Sequence, residues 1–298
     1  MTHLKLLHHF LTETCLGILG QPAQLERYRG MAAKHAFSHE FLMSEMLALA
    51  ALHLSITIPD TQQREWYRDL SVALMDRALR EFNEKLPTMN ADNCVTFVMF
   101  AHVVGLHSFR SAMLARESSI GALLPKLTQT VNLMRGLNPI MRPWMPVLMQ
   151  EEFGDMIRDA ENLPQSATDV GGLTETFSRL LEQAEMRDGT RELYMKAVKH
   201  LQENLNYIGH DSGSEDSTFA VFAWWVNMPR ELVDHLEERR PEALALLAWY
   251  AVVLHRHRGS WVIGDSGKYM FGLIEQHLGA RWEDWIAWPK QTLSLSER

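Results

Sequence analysis

Two histidines in one apolar stretch, His102 and His107, have the clearest potential for chemistry in this sequence. Histidine titrates near neutral pH, so it can act as an acid, a base or a polar contact to a ligand. The five-residue spacing does not place both side chains on one stripe of a helix. Two interpretations stay open: a core or pocket histidine with a hydrogen-bond partner beside a surface histidine, or an acid–base group in a pocket. Tyr250 is a third candidate catalytic residue.

Aromatic residues and methionines suggest a binding site for an apolar molecule. The chain has 17 methionines and 9 tryptophans, and most of the tryptophans lie in its last third. Methionine adapts to irregular apolar surfaces, and a pocket of Trp, Phe and Met side chains suits a lipophilic ligand. A soft, well-packed core is the alternative interpretation. The candidate ligand-binding residues are Met99, Phe100, His102, Trp224, Trp225, Met228, Trp249, Trp261 and Met270.

Other sequence motifs point to no cofactor and no metal. The string from Gly264 to Gly267 reads Gly-Asp-Ser-Gly, as around a protease nucleophile, but the chain lacks the strands of that context, so Asp265 or Ser266 is interpreted as a helix N-cap. His35 and His39 do not have the spacing of a zinc-binding helix motif. Glycine-rich phosphate loops and dinucleotide fingerprints are absent from the sequence. We therefore expect neither a cofactor nor a bound metal.

Composition favours a folded protein of a reducing compartment. The 298 residues are 46% hydrophobic and 22% charged, with a formal net charge of −8. The densest basic run, His255–Arg258, is too short to follow a phosphate backbone and is interpreted as the solvated end of a helix. Cys15 and Cys94 are interpreted as buried thiols. These features predict a cytoplasmic or nuclear protein without direct nucleic-acid binding.

Hydrophobic periodicity is helical throughout, so we predict an all-α fold: a large orthogonal bundle of many helices with an internal apolar pocket. The stretch Phe41–Ile58 contains Ser44, Glu45 and His53 and is interpreted as a buried helix and not as a membrane span. We predict one ligand-pocket domain over residues 1–298. It comprises an N-terminal lobe at about 1–160, a linker at about 161–172 and a Trp-rich C-terminal lobe at about 173–298.

Several segments, in order, resemble one known family. They resemble the fungal-specific transcription factor domain, in the branch of sterol uptake control proteins. The matching segments are Leu6–Phe10, which reads LLHHF, His35–Leu54, Leu133–Leu137, Pro241–Tyr250 and Trp282–Pro289.

The resemblance implies an all-α regulatory domain that holds a sterol in a pocket near its C-terminal helices and forms homodimers. Full-length members begin with a six-cysteine, two-zinc DNA-binding module. This sequence has only two cysteines and begins directly in the LLHH segment, so it is expected to be either an excised domain or a stand-alone protein.

Three functions remain open from the sequence. The first is a sensor that binds a sterol-, terpenoid- or polyketide-like molecule and shifts between two states. The second is a metal-free cyclase or isomerase of fungal secondary metabolism, for example a pericyclase, which holds a flexible substrate in a reactive shape. Its candidate polar groups are His102, His107, Trp224, Trp225, Tyr250 and Trp261. The third is an interaction module with an exposed loop at residues 209–217.

Overall fold

The computed structural model describes residues 1–19, 22–136, 142–150, 154, 170–184, 186–209 and 218–295. Within these ranges every regular element is a helix, which confirms the all-α, multi-helix fold. The expected linker lies outside the described residues up to residue 169, and residues 170–172 form a short 3₁₀ turn. The expected loop also lies outside them from residue 210 to residue 217.

The chain divides into two compact units. Unit 1 comprises Met1–Leu114 and Thr130–Asn162, and unit 2 comprises Ala115–Gln129 and Leu163–Arg298. One helix therefore contributes its first part to unit 2 and its last part to unit 1.

Unit 1 is built around two long apolar helices. Its helices are α1 (Thr2–Thr12), α2 (Pro22–Ala36), α3 (Glu40–Thr57), α4 (Thr61–Lys85), α5 (Cys94–Leu114), the last part of α6 (Ile120–Gly136) and the short α7 (Met145–Leu148). Helix α3 packs against α1, α2, α4 and α5, which explains why its residues are apolar on every side. The side chain of Asp60 caps α4 by accepting a hydrogen bond from the backbone N–H of Gln63, at 2.8 Å.

Helices α3 and α5 are long and apolar enough to cross a membrane by length and composition alone. Core helices of soluble proteins pass the same test, so this is weak evidence for a span. In each helix 72% of the apolar window is buried inside the protein. Their burial within unit 1 accounts for their composition.

Unit 2 is built around a central helix, Pro241–Arg256. Its helices are the first part of α6, α8 (Leu173–Gln183), α9 (Asp188–Gly209), α10 (Thr218–Asn227), α11 (Arg230–Glu237), α12 (Pro241–Arg256), α13 (Ser266–Leu278) and α14 (Glu283–Leu295). Helix α12 starts with Pro241, whose fixed φ suits a first helical turn. It is buried from Ala243 to His255, because α9, α11, α13 and α14 all pack against it.

A glycine allows α13 to approach α12 closely. A Cβ atom at Gly267 would lie only 2.7 Å from the backbone nitrogen of His255, and it would also contact the carbonyl oxygen of Ala251. The predicted N-cap of α13 is confirmed at Asp265, although its carboxylate makes no hydrogen bond to the helix. That carboxylate instead binds Arg116, at 2.5 and 2.7 Å.

Candidate functional site

A buried hydrogen-bonded network in unit 1 joins Glu45 of α3, Ser71 of α4 and His107 of α5. Oε1 of Glu45 lies 2.8 Å from Nδ1 of His107, and Nε2 of His107 lies 3.0 Å from Oγ of Ser71. The Ser71 hydroxyl donates to the carbonyl oxygen of Ala48, at 2.8 Å. Side chains thus link the three longest helices of unit 1.

The positions of the protons in this network follow from the Ser71 hydroxyl, which has one proton to donate. Because that proton goes to the carbonyl of Ala48, Nε2 of His107 must carry the hydrogen that is donated to Oγ of Ser71. A second proton is shared between Nδ1 of His107 and the Glu45 carboxyl group. Burial raises the pKa of Glu45. The charge and the hydrogen bond of His107 lower it, but the effect of burial is larger. The network is therefore neutral as a whole.

This serine–histidine–carboxylate order resembles that of nucleophilic hydrolases. Here the three residues are at most 2% exposed, and the serine proton is directed away from the histidine. A substrate carbonyl group has no access to Oγ of Ser71 in this arrangement. His107, a candidate catalytic residue, is engaged through both ring nitrogens, so the network connects helices and offers no free base.

Three further candidates lie in unit 1. His102 packs edge-on against Tyr28, with ring centroids 6.1 Å apart, and burial lowers the pKa of His102 to about 3. The imidazole is therefore neutral at pH 7. Met99 and Phe100 are buried in the core, where Phe100 stacks on Phe82 at 4.4 Å.

Unit 2 contains an aromatic group that we call the Tyr250 cluster, defined as Trp224, Trp225 and Tyr250. The ring of Trp224 stacks on Tyr250 with centroids 4.7 Å apart, and Trp225 meets Tyr250 edge-on at 5.2 Å. All three side chains are at most 2% exposed. The structure thus brings together two candidate ligand-binding residues and one candidate catalytic residue.

Most polar groups of the Tyr250 cluster donate hydrogen bonds to backbone carbonyl groups. The Tyr250 hydroxyl donates to the carbonyl of Val221 at 3.0 Å, and the Trp224 indole N–H donates to the carbonyl of Ala197 at 3.1 Å. Burial raises the pKa of Tyr250 far above its ordinary value, so the phenol keeps its proton. The buried Trp225 indole nitrogen reaches no hydrogen-bond partner of good geometry in the described residues, although its interaction with the Tyr250 hydroxyl opposes the rise of that pKa.

A second aromatic group, the Trp249 cluster, comprises Phe177, Trp249, Trp285 and Trp288. Trp249 stacks on Trp288 at 4.8 Å, and its indole N–H donates to the carbonyl of Trp285 at 2.7 Å. Phe177 meets both Trp249 and Trp285 edge-on. Trp249 and Tyr250 are neighbours in α12, yet their rings belong to two different clusters.

The remaining candidates are also in unit 2. Met228 and Met270 are buried, whereas Trp261 is half-buried in the turn after α12. The predicted ligand-binding set is therefore distributed over both units, with Met99, Phe100 and His102 in unit 1.

The described ranges contain no group of three His, Cys, Asp or Glu side chains that could hold a metal ion. His35 instead contacts Thr96, with Nδ1 and Oγ1 2.9 Å apart. Cys15 and Cys94 are buried free thiols, and burial raises the pKa of Cys15 to about 12.

Sequence reasoning missed Glu45 and Ser71 as partners of His107, since they are 62 and 36 residues away from it. One signal was present, because a carboxylate inside an otherwise apolar helix needs a buried partner. Sequence reasoning also missed that His255, in the basic run His255–Arg258, is only 4% exposed.

Comparison with known proteins gives two matches. The sequence model of one protein family, the fungal specific transcription factor domain, matches residues 5–137. A Zn(2)-C6 fungal-type transcription factor of Gibberella zeae is 22% identical over 315 aligned positions, which cover 97% of this chain. The chain spans 61% of the length of that relative. These comparisons confirm the resemblance found in the sequence: residues 5–137 of this chain are similar to the fungal specific transcription factor domain.

Proposed function

We propose that this chain is the ligand-sensing part of a fungal-type transcription regulator in the cytoplasm or nucleus, and that unit 2 binds a lipophilic small molecule. The observation that carries the proposal is the Tyr250 cluster. Its aromatic faces can pack against an apolar molecule, and the Trp225 N–H is a donor that reaches no good acceptor among the described residues. Such a site suits a mostly apolar molecule with one hydroxyl or carbonyl group, as in a sterol or terpenoid.

The same contacts favour binding over catalysis. An acid–base enzyme needs a group that can exchange a proton with the substrate near neutral pH. The Tyr250 proton is directed to the carbonyl of Val221, and the Trp224 N–H to that of Ala197. His107 is held by Glu45 and Ser71. These candidate groups are thus occupied in the folded protein.

A ligand regulates such a domain only if it binds one of two conformations more tightly than the other. A molecule that enters the Tyr250 cluster must separate rings that are now 4.7 to 5.2 Å apart. The movement would shift α10 relative to α12, which makes this helix pair the element that responds. The net charge of −8 favours a role in regulation without direct DNA contact. Homodimer formation stays a prediction, and light scattering would measure it.

The test is a titration with dehydroergosterol, a fluorescent sterol that accepts excitation energy from tryptophan. We expect saturable energy transfer in the wild-type protein. Trp225→Phe keeps an aromatic side chain but removes the N–H and part of the ring surface, so affinity should fall about threefold to tenfold. Trp66→Phe, which changes a half-exposed indole in unit 1, should leave affinity unchanged.

Three outcomes contradict the proposal in different ways. Absence of saturable transfer with the sterol, together with no shift in melting temperature by any member of a terpenoid panel, rejects lipophilic binding. Equal affinities of Trp225→Phe and wild type reject the Tyr250 cluster as the site. Time-dependent conversion of a bound molecule, seen by mass spectrometry and lost on boiling, would instead support the cyclase or isomerase.

A further inference from the structure

The end of helix α12 holds two basic side chains, each with a buried nitrogen that reaches no hydrogen-bond partner among the described residues. His255 is 4% exposed, and neither of its ring nitrogens has a hydrogen bond in the described residues. Nη1 of the next residue, Arg256, is also buried and reaches no acceptor there. Buried polar groups are normally satisfied, so two adjacent exceptions require an explanation.

The charged groups that shift the pKa of His255 in the described part of the chain are all basic. Burial first, and then Arg258, Lys268 and Arg256, lower the pKa of His255 to about 4, and no acidic group is among the causes. Arg256 has no carboxylate partner among the described residues, and its guanidinium lies over the ring of Trp288, 5.9 Å from the centroid. A half-buried guanidinium that is held only by a ring is poorly compensated.

The preference of helix C-termini for cations explains only part of this arrangement. Arg258 follows it, because its Nη1 donates to the carbonyl of His255 at 3.2 Å. Arg256 does not follow it, since its Nη1 reaches no carbonyl. His255 is neutral at pH 7 and gains nothing from the helix dipole.

The first turn of α13 adds to the positive potential. Gly267 brings its backbone against His255, with Lys268 as the next residue. Helix N-termini attract anions through their free N–H groups and their dipole. The N-cap residue Asp265 does not fill this role here, because its carboxylate pairs with Arg116.

We infer that His255 and Arg256, at the end of α12 beside the first turn of α13, form a binding site for an oxyanion: inorganic phosphate or the carboxylate of a small organic acid. His255 offers one N–H, and Arg256 offers the N–H groups and the positive charge of its guanidinium. The site is separate from the Tyr250 cluster and does not depend on the lipophilic ligand proposed above.

The test compares three probes at constant ionic strength: inorganic phosphate, decanoate and the neutral analogue decanol. Melting temperature and calorimetric binding are measured for the wild type, for Arg256→Gln and for the matched control Arg281→Gln, which changes an exposed arginine of the same unit. We expect phosphate, decanoate or both to bind the wild type and the control. Affinity should fall at least tenfold in Arg256→Gln, because a hydrogen bond to a charged group is lost.

The outcomes separate the sources of the anion. Binding of phosphate indicates a site for a free oxyanion, and binding of decanoate without phosphate or decanol indicates a lipophilic acid. If neither anion binds, or if Arg256→Gln binds as tightly as the wild type, the inference is overturned. His255→Gln serves as a second variant if Arg256→Gln does not fold, and it should show the same loss of affinity.

Discussion

Nδ1 of His107 lies 2.8 Å from Oε1 of Glu45, although 62 residues separate the two in the chain. Both side chains are almost fully buried, and Ser71 completes the contact through the other ring nitrogen. Burial of a charged or polar group costs stability unless the group is hydrogen-bonded, as it is here. The pair therefore fixes how α3, α4 and α5 fit together, and its protonation can be tested.

Glu45→Gln should be tolerated, with a loss of stability of no more than about 1.5 kcal/mol. The reason is that the Gln N–H₂ group can donate to Nδ1 of His107 as a protonated carboxyl group does. Glu45→Ala should cost about 3 kcal/mol, because it leaves His107 buried without its partner. Urea unfolding measures both variants, with the exposed Glu40→Gln on the same helix as the control.

The same carboxyl group predicts a pH dependence. Its pKa is raised in the folded protein above the ordinary 4.5, so the folded state holds a proton that the unfolded state releases. The stabilising effect of Glu45 is thus complete below about pH 4.5 and is lost as pH rises through the folded pKa. The stability difference between the wild type and Glu45→Gln should therefore fall with increasing pH. A difference that increases with pH would contradict a raised pKa.

Buried neutral histidines predict a loss of stability in acid. Burial lowers the pKa of His102 to about 3 and that of His53 to about 4, both from 6.5. The unfolded chain binds protons there first, so stability is complete above about pH 6.5 and is lost as pH falls toward the folded values. Melting temperature from pH 7 to pH 4 should decline less steeply in His102→Phe. The exposed His277→Gln should retain the wild-type slope.

Two glycines of α13 provide a matched pair for the contact with α12. Gly267→Ala should destabilise the protein by about 1–3 kcal/mol, because its Cβ would lie 2.7 Å from the backbone nitrogen of His255. Gly272→Ala meets nothing within 4 Å and should stabilise by about 0.5–1 kcal/mol through helix propensity. Thermal unfolding measures the stability change of each variant relative to the wild type. Equal effects would mean that the helices do not touch at Gly267.

The Tyr250 hydroxyl is predicted to stabilise the fold without taking part in chemistry. Tyr250→Phe removes the hydrogen bond to the carbonyl of Val221 and should cost about 1 kcal/mol. Affinity for dehydroergosterol should stay within a factor of two, and any activity should persist. Loss of a measured turnover in this variant, with stability retained, would show that Tyr250 is a proton donor after all.

The sequence was sufficient to predict the class of fold, because helical periodicity and proline positions are local signals. The start of α12 at Pro241 and the N-cap of α13 at Asp265 follow from such signals, and the structure confirms both. The resemblance to the fungal family was likewise visible in short segments, and the family match over residues 5–137 confirms it.

The details of the candidate site were not predictable in this way. Nothing local shows that Tyr250 donates to Val221 or that His107 meets Glu45, since each pair is joined only by tertiary packing. Trp249 and Tyr250 are neighbours in the sequence, but a helix sends them into different clusters. Composition indicated which residue types form the aromatic clusters, but it could not show which side chains contact one another.

Helix α6 begins in unit 2 and ends in unit 1, with the division between Gln129 and Thr130. A single cut of the chain therefore cannot release either unit intact. A fragment that ends with the family match at residue 137 would keep residues 115–129 but lose the rest of unit 2 around them. That stretch carries Leu123 and Leu127, which are buried in the whole chain. Fragments designed from the sequence match alone should aggregate, and useful truncations have to retain the chain on both sides of this helix.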